Sequence, residues 1–507
     1  MKRHFYLILA IFMLTNPFVS INCQAQKETP QELNRTIQLP AMKDTVYDLL
    51  QMIAEICGYY LIYDSNIIDN RQIRKIKKGN RTIAQAIYEI TEKETLQLSI
   101  KDNYILITSP QTSLHTTNHI QGTLIDAESK QPIAFGTVHI QGVSWGTVSN
   151  LDGGFHIHIP DSLQHSSLVF SHIGYKPQTI DITSLVGSKP IIHLTPHIIP
   201  IPEVIVRIKE PTSLLNGMLQ HIEKNYSSQP IYLTTFYREG IKHKEKLIDF
   251  TEGMLCIYKP SFLSTQDKDQ AKLLNKKRIT FRTIKDSLIA KISGGVHTCL
   301  TLDAITHLPP FLQPNNGYLY FFSDMTLLND RSTYVIRFIP KEKSIHHFYT
   351  GNIYIDTETL ALIQVEFNIH PEHIKKKGHT LIKQQSKHLK LSPEEAKYTL
   401  SYQRLGNKYY INHIRGDLHF KVKKKRWLTN SSALHIWFEM ATCQIDTNHV
   451  KPFITKDCFN PRAIFMDIPL NKNNHHWDRF NIIPREESLK KNIEALKKNF
   501  EKKNEER

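Results

Sequence analysis

Gly142-Val143-Ser144-Trp145-Gly146 spells G-x-S-x-G, the pattern of a nucleophile elbow in which a strained strand-to-helix turn exposes a serine hydroxyl. That chemistry needs a parallel sheet and a following helix. The flanking residues Thr137–Ile140 and Phe155–Ile159 alternate as short strands instead, so Ser144 is expected in a hairpin turn. His156 and His158 stand two apart on one such strand and present both imidazoles to the same face. A zinc site takes at least three protein ligands and none is spaced to join them, so a solvated strand face is the expectation. His370-Pro371-Glu372-His373 fits neither zincin nor inverzincin spacing, and Pro371 favours a turn. His346-His347 and His475-His476 put neighbouring rings on opposite sides of a strand. H-E-x-x-H, G-x-x-x-x-G-K-[ST] and G-x-G-x-x-G do not occur. The residues thus assign no catalytic group, no metal ligand and no cofactor, and the expectation is a protein that is not an enzyme.

The elements that would position any site belong to several domains, because 507 residues exceed the ~100–200 of a single one. Apolar residues at 40% and charged residues at 22% exclude general disorder. A formal charge of +16 favours anionic surfaces, whether phosphate backbone, acidic glycan or lipid head group. The compartment arbitrates. Met1-Lys2-Arg3 followed by the apolar run Phe5–Leu14 reads as an export signal, too short to span a bilayer, with cleavage after Ala25. Removing it takes away Lys2 and Arg3 and leaves +14. Cys23 offers the rival of lipid attachment, but Asn22 before it is a poor match to a lipoprotein site. An exported chain meets no chromosome, so nucleic acid is not an expected partner. Five cysteines remain, an odd number, and Cys443 with Cys458 is the expected bridge on proximity.

Residues 34–109 read as a small βαββαββ module. Val46, Leu49, Leu50, Ile53 and Ile56 recur at helical spacing behind Asp44-Thr45 and stop at Gly58; Thr82 caps a second helix bearing Ile83, Ala86, Ile87 and Ile90. The first helix running into Gly58-Tyr59-Tyr60, then Tyr63-Asp64-Ser65 and Thr82-Ile83-Ala84-Gln85-Ala86-Ile87, resembles the secretin/TonB short N-terminal domain. The resemblance implies a periplasmic protein-contact module without catalytic residues, with Tyr59, Tyr60 and Tyr63 as candidate partner contacts beside their plain reading as sheet packing.

Residues 119–195 carry seven short strands with turn signals every ~8–12 residues, the signature of a β-sandwich. Gly122-Thr-Leu-Ile-Asp126, Pro132-Ile133-Ala134-Phe135, Gly146-Thr147, Asp152-Gly153-Gly154-Phe155 and Phe170-Ser171-His172-Ile173-Gly174-Tyr175 resemble the carboxypeptidase-regulatory-like domain. That resemblance implies a transthyretin-like sandwich of exported Bacteroidota proteins, often ahead of TonB-dependent receptors, and no peptidase.

A Pro-rich linker, residues 196–204, leads through Glu203-Val204-Ile205-Val206, which resembles the TonB-contact box of that receptor family, although so short a stretch is read first as an edge strand. The 301 residues after Val206 are too few for a plug and a barrel of ~22 strands. Residues 205–507 read instead as a curved antiparallel sheet with helices, including strands at 231–238, 247–258, 409–415, 418–424 and 432–441. The stretch resembles the half-barrel of outer-membrane lipoprotein carriers, and Phe236-Tyr237-Arg238-Glu239 recurs in proteins of that architecture. Leu489, Ile493, Leu496 and Phe500 form one face of a terminal amphipathic helix. The Lys272–Arg278, Lys375–Lys377 and Lys421–Arg426 clusters read as solvated faces.

The expected function is a non-enzymatic envelope scaffold in the periplasm or at the outer membrane. Its expected partner is an envelope protein of the TonB or anti-sigma type. Alternatives are a lipid or lipoprotein carrier and a TonB-coupled signalling accessory, with lipid or acidic glycan as ligand.

Overall fold

The computed structural model describes residues 31–63, 68, 72–93, 96–101, 104–108, 118–199, 210–261, 268–280, 290–292, 295–314, 317–328, 331–341, 348–370, 373–374, 382–385, 389–424, 431–469, 477 and 480–494. The export signal, Glu203–Val206, Lys375–Lys377, His346-His347, His475-His476, Leu496 and Phe500 lie outside the described residues. The chain is mostly β with some helices and divides into two compact units, Met1–His115 and Thr116–Arg507.

The first unit contains β1 (Thr36–Leu39), β2 (Met42–Thr45), α1 (Val46–Cys57), β3 (Tyr60–Tyr63), β4 (Ile73–Ile76), β5 (Gly79–Thr82), α2 (Ile83–Thr91), β6 (Gln97–Lys101) and β7 (Tyr104–Thr108). The caps explain the helix limits. The Thr45 hydroxyl accepts from the Asp48 N–H, and Gly58 closes α1 at φ 73°, a left-handed conformation that costs glycine little. At α2, Thr82 and Gln85 form a reciprocal capping box. Both helices bury one apolar face, with Leu49, Ile53, Ile83 and Ile87 fully enclosed, against sheets β1-β5, β2-β4 and β3-β7-β6.

The second unit opens with the sandwich: β8 (Asn118–Asp126), β9 (Thr137–Ile140), β10 (Gly146–Val148), β11 (Gly154–Ile159), β12 (Ser167–Ser171), β13 (Gln178–Asp181), α3 (Ile182–Leu185) and β14 (Ile191–Leu194). Sheets β10-β9-β12-β13 and β11-β8-β14 enclose a core in which Phe155 and Phe170 meet at 5.4 Å.

There follow β15 (Ile198–Ile199), α4 (Pro211–Gln220), α5 (Ile222–Asn225), β16 (Ile231–His243), β17 (Lys246–Lys259), β18 (Gln270–Thr280), β19 (Ala290–Ile292), α6 (Gly295–Thr301) and α7 (Ala304–His307). The remaining strands are β20 (Tyr318–Leu328), β21 (Arg331–Pro340), β22 (Tyr349–Asp356), β23 (Leu362–Ile369), β24 (Ile382–Gln385), β25 (Leu389–Leu405), β26 (Lys408–Lys424), β27 (Ser432–Asp446) and β28 (Cys458–Phe459). Twelve of these form one open, curved sheet in the order β15-β20-β21-β22-β23-β25-β26-β27-β16-β17-β18-β28, antiparallel throughout. Its inner face packs under α4, α6 and α7, where Leu215, Met218, Cys299 and Phe311 meet Ile336, Phe338, Ile414 and Phe438.

Three expectations need correction. Residues 409–415 and 418–424 are one strand, because Gly416 lets the Phe438 ring lie against the backbone where a Cβ would come within 2.3 Å. The lysine cluster 272–278 is part of β18 rather than a wholly solvated face: Lys276 is 6% exposed and donates to the carbonyls of Met466 (3.1 Å) and Ile468 (2.6 Å). Cys443 and Cys458 are both free thiols. They sit on β27 and β28 with three strands between them, roughly 19 Å at ~4.8 Å per strand, far beyond disulfide reach.

Candidate functional site

Antiparallel register places one row of alternating charge across four strands of the sheet's outer face. Arg415 on β26 faces Glu439 on β27, Glu439 faces Arg238 on β16, and Arg238 faces Glu252 on β17. Opposite charges on directly paired residues attract, and their side chains here lie where the sandwich covers the sheet. Arg238 and Glu439 have no solvent exposure, and Nε of Arg238 donates to Oε2 of Glu439 at 2.6 Å. Nη2 of Arg238 reaches Oε1 of Glu486 at 2.7 Å, and Nη1 reaches the Pro484 carbonyl at 3.3 Å. The other Glu439 oxygen lies 2.8 Å from Nε2 of His413, and Nη1 of Arg415 lies 3.6 Å from Oε2. Burial opposes charge on Glu439, yet Arg238, His413 and Arg415 together hold its carboxyl well below the usual range.

Arg415 forks onto both oxygens of Asp417, at 2.6 and 2.8 Å, and Asp417 also meets Nε2 of His435 at 2.9 Å. Against the cost of burial, His435 and Arg415 keep the Asp417 carboxyl at about 2. The cations stack as well as pair: Arg238 lies over Trp437 at 5.4 Å, and Arg415 over Phe135 at 5.3 Å and Trp437 at 5.4 Å.

Phe135 brings the sandwich to this row. Its ring stacks on His413 at 4.9 Å from a left-handed backbone, φ 61°, unusual for a bulky residue. Asn412 donates to Thr137 at 2.9 Å, and Ser144 donates to the Ile445 carbonyl at 2.7 Å. The C-terminal segment wedges in from the other side. Asn481 donates to the Gly146 carbonyl at 2.8 Å and accepts from the His158 N–H at 2.8 Å, Asn150 donates to the Pro484 carbonyl at 3.0 Å, and Arg485 pairs with Glu252. Ile483 packs with Val148, Phe236 and Met254, while Leu489 and Ile493 of the helix at 487–494 pack on Phe250 and Trp437.

A second polar cluster lies on the inner face. Tyr237 donates to Glu239 at 2.7 Å and the Met466 N–H donates to its other oxygen at 3.2 Å. Burial, only partly offset by these bonds, pushes the Glu239 carboxyl up to about 7. Burial likewise brings the Lys276 amine down to about 8. Farther along, Lys259 bridges Asp303 (2.8 Å) and Asp269 (3.2 Å) beside a cavity of about 50 Å³ lined by Tyr226, Tyr402 and Tyr409. A cleft of about 360 Å³ is lined by Phe459, Ala463, Ile464, Asp467, Ile468 and Pro469.

Chemically the network neutralises charge rather than exposing it. Ser144 sits in a hairpin turn with its hydroxyl on a backbone carbonyl. Burial raises the thiols of Cys443 to about 12 and Cys256 to about 11, so they stay protonated at neutral pH. His156 and His158 do not form a solvated face. His158 is buried, and the ring of His119, across the register from His158, lies 5.1 Å from that of His156 and 5.2 Å from that of His158. Among the described residues no three His, Cys, Asp or Glu side chains are arranged to hold a metal ion. Tyr59 and Tyr63 pack partly buried on the first unit's core, with Tyr59 donating to Glu32, and Tyr60 lies on β3, the edge of its sheet. Nothing local in the sequence joins Arg238 of the Phe236–Glu239 motif to Glu439, Arg415 and Glu486: these partners lie about 200 residues away and only the folded register unites them.

The covering sandwich, with its two sheets and its Asp152-Gly153 turn, decides what this half of the seam resembles. Residues 120–206 match the CarboxypepD_reg-like domain. No curated protein matches the chain. Among solved structures, a DUF1329 family protein from Desulfovibrio piger is 11% identical with a TM-score of 0.21, covering 48% of this chain and 96% of its own. A LolA superfamily protein from Nitrosomonas europaea is 9% identical with a TM-score of 0.18, covering 50% of this chain and 98% of its own. Scores at that level carry neither fold nor function across to the large sheet.

Proposed function

We propose that this is a non-enzymatic protein of the cell envelope, in which the CarboxypepD_reg-like sandwich and the large sheet act as one rigid protein-interaction scaffold. The observation that supports the reading is the seam: a row of buried charges satisfied by each other, locked by Phe135 on one side and residues 480–487 on the other. Such a seam fixes geometry and leaves no activated nucleophile. The export signal puts the chain in the envelope, and the secretin/TonB-like module and Glu203–Val206 supply its contacts to a partner of the TonB or anti-sigma type. Cross-linking and affinity capture of the full mature chain from envelope fractions tests this. A stoichiometric protein partner is expected, weakened when Arg238→Met loosens the seam; recovery of the chain in the cytoplasm, or of no protein partner, would overturn it.

The second reading, a lipid or lipoprotein carrier, is favoured by the apolar cleft around Phe459, Ile464 and Ile468, whose volume lies in the ~300–1,000 Å³ range of ligand pockets, as the inner cavity of about 50 Å³ does not. Native mass spectrometry separates the two: a co-purifying lipid lost in Ile464→Glu supports the carrier.

A further inference from the structure

The first unit holds ten basic and ten acidic side chains over residues 31–108, yet its cations are not evenly answered. Arg74 pairs with Glu92 at 2.8 Å and Arg81 pairs with Glu89. Lys43, Lys75, Lys77 and Lys78 have no such partner among the described residues. Lys43 on β2 and Lys75 on β4 are direct register partners, both exposed, so two like charges stand opposite each other on the ladder's outer face. That arrangement is unfavourable by itself. Lys77 and Lys78, both exposed, follow in the turn into β5. The nearest acids face elsewhere or are engaged: Asp44 lies opposite Arg74 on the alternate face and accepts from the Thr45 N–H, and the Asp48 carboxylate accepts from the hydroxyl of Thr45, the N-cap of α1.

The same outer face ends in large apolar groups. Ile73, two residues along β4 from Lys75, is 61% exposed, and Tyr47, just past Thr45 in the first turn of α1, is 52% exposed. An apolar aliphatic and an amphipathic tyrosine beside four unanswered lysines make a surface with a hydrophobic tip and a cationic flank. A water-soluble acidic glycan would satisfy the charges and leave Ile73 exposed. A bilayer interface satisfies both, since head-group phosphates answer the lysines while the side chains of Ile73 and Tyr47 enter the acyl boundary.

We propose that the outer face of the β2–β4 ladder, Lys43, Lys75, Lys77 and Lys78 with Tyr47 and Ile73, is a docking surface for an anionic phospholipid bilayer. It would hold the first unit against a membrane independently of what the second unit binds. The test is co-sedimentation of the full mature chain with phosphatidylglycerol-containing vesicles against pure phosphatidylcholine vesicles. Salt-sensitive binding to the anionic vesicles alone is expected. Each lysine near such a surface contributes roughly fivefold, so changing all four to Gln should lower the affinity by about several hundredfold, while four Lys→Arg changes preserve it. The single change Lys75→Gln, which also relieves the like-charge pair, should lower affinity without lowering stability. Ile73→Ser with Tyr47→Ser should weaken binding even at low salt. Equal binding to both vesicle types, affinity unchanged in the glutamine variants, or capture of a soluble acidic polysaccharide without vesicle binding would overturn the proposal.

Discussion

At the scale of single residues, the two polar clusters respond to pH in opposite directions. Asp417 is held at about 2 by His435 and Arg415 against burial, so its contribution is complete above the unfolded carboxylate value near 3.8 and disappears as pH falls through about 2. Glu239 is raised by burial to about 7. It favours the folded state most below its unfolded value of about 4.5 and loses that contribution as pH rises through 7. Glutamine imitates the protonated acid: its carbonyl oxygen can accept from the Met466 N–H, and its amide can donate to the Tyr237 hydroxyl oxygen with the direction of that bond reversed. Glu239→Gln should therefore match the parent near pH 4.5 and exceed it by about 3 kcal/mol at pH 8, measured by urea unfolding at both values. Identical stability at pH 8 would show that Glu239 ionises freely in the fold. In the seam the expectation reverses: Glu439→Gln leaves Arg238 and Arg415 with a weaker partner in a solvent-free site and should cost about 3–5 kcal/mol at neutral pH.

At the scale of elements, what was legible in the sequence follows from how local the determining physics is. The seven sandwich strands could be read because each alternates and is bounded by its own turn residues, such as Asp152-Gly153-Gly154. The caps Thr45 and Thr82 were equally local. β18 was hidden because Lys272, Lys276, Lys277 and Arg278 look solvated until the carbonyls of Met466 and Ile468, nearly 200 residues away, supply acceptors for Lys276. β26 was split in two because Gly416-Asp417 resembles a turn. The glycine is there for close packing and the aspartate to pair with Arg415 and His435, both reasons that exist only after β27 is alongside. Gly416→Ala would place a Cβ 2.3 Å from the buried Phe438 ring, so a cost of about 1–3 kcal/mol is expected, read as a lower denaturation midpoint with an unchanged slope. No loss of stability in that variant would mean that β26 yields at this position.

At the scale of the whole molecule, the question is whether the sandwich unfolds with the sheet or apart from it. Contacts between domains of one chain are usually modest and polar, and independent unfolding is the default. Here the contact covers an ion pair with no solvent exposure, Arg238–Glu439, and carries a cation–aromatic stack of Arg415 on the sandwich's Phe135 and a C-terminal segment hydrogen-bonded to the sandwich at Gly146, Asn150 and His158. Removing either partner of Arg238–Glu439 leaves a charge without compensation, so the seam either closes with all its members or opens altogether. Calorimetry of the mature chain should show a single transition for residues 118–494, separable from that of the first unit. Replacing Arg238 and Arg415 with Met should split it into two, with the smaller, sandwich transition moving to lower temperature. One undivided transition in the double variant would show that apolar packing of Ile483, Leu489 and Ile493 suffices to join sandwich and sheet.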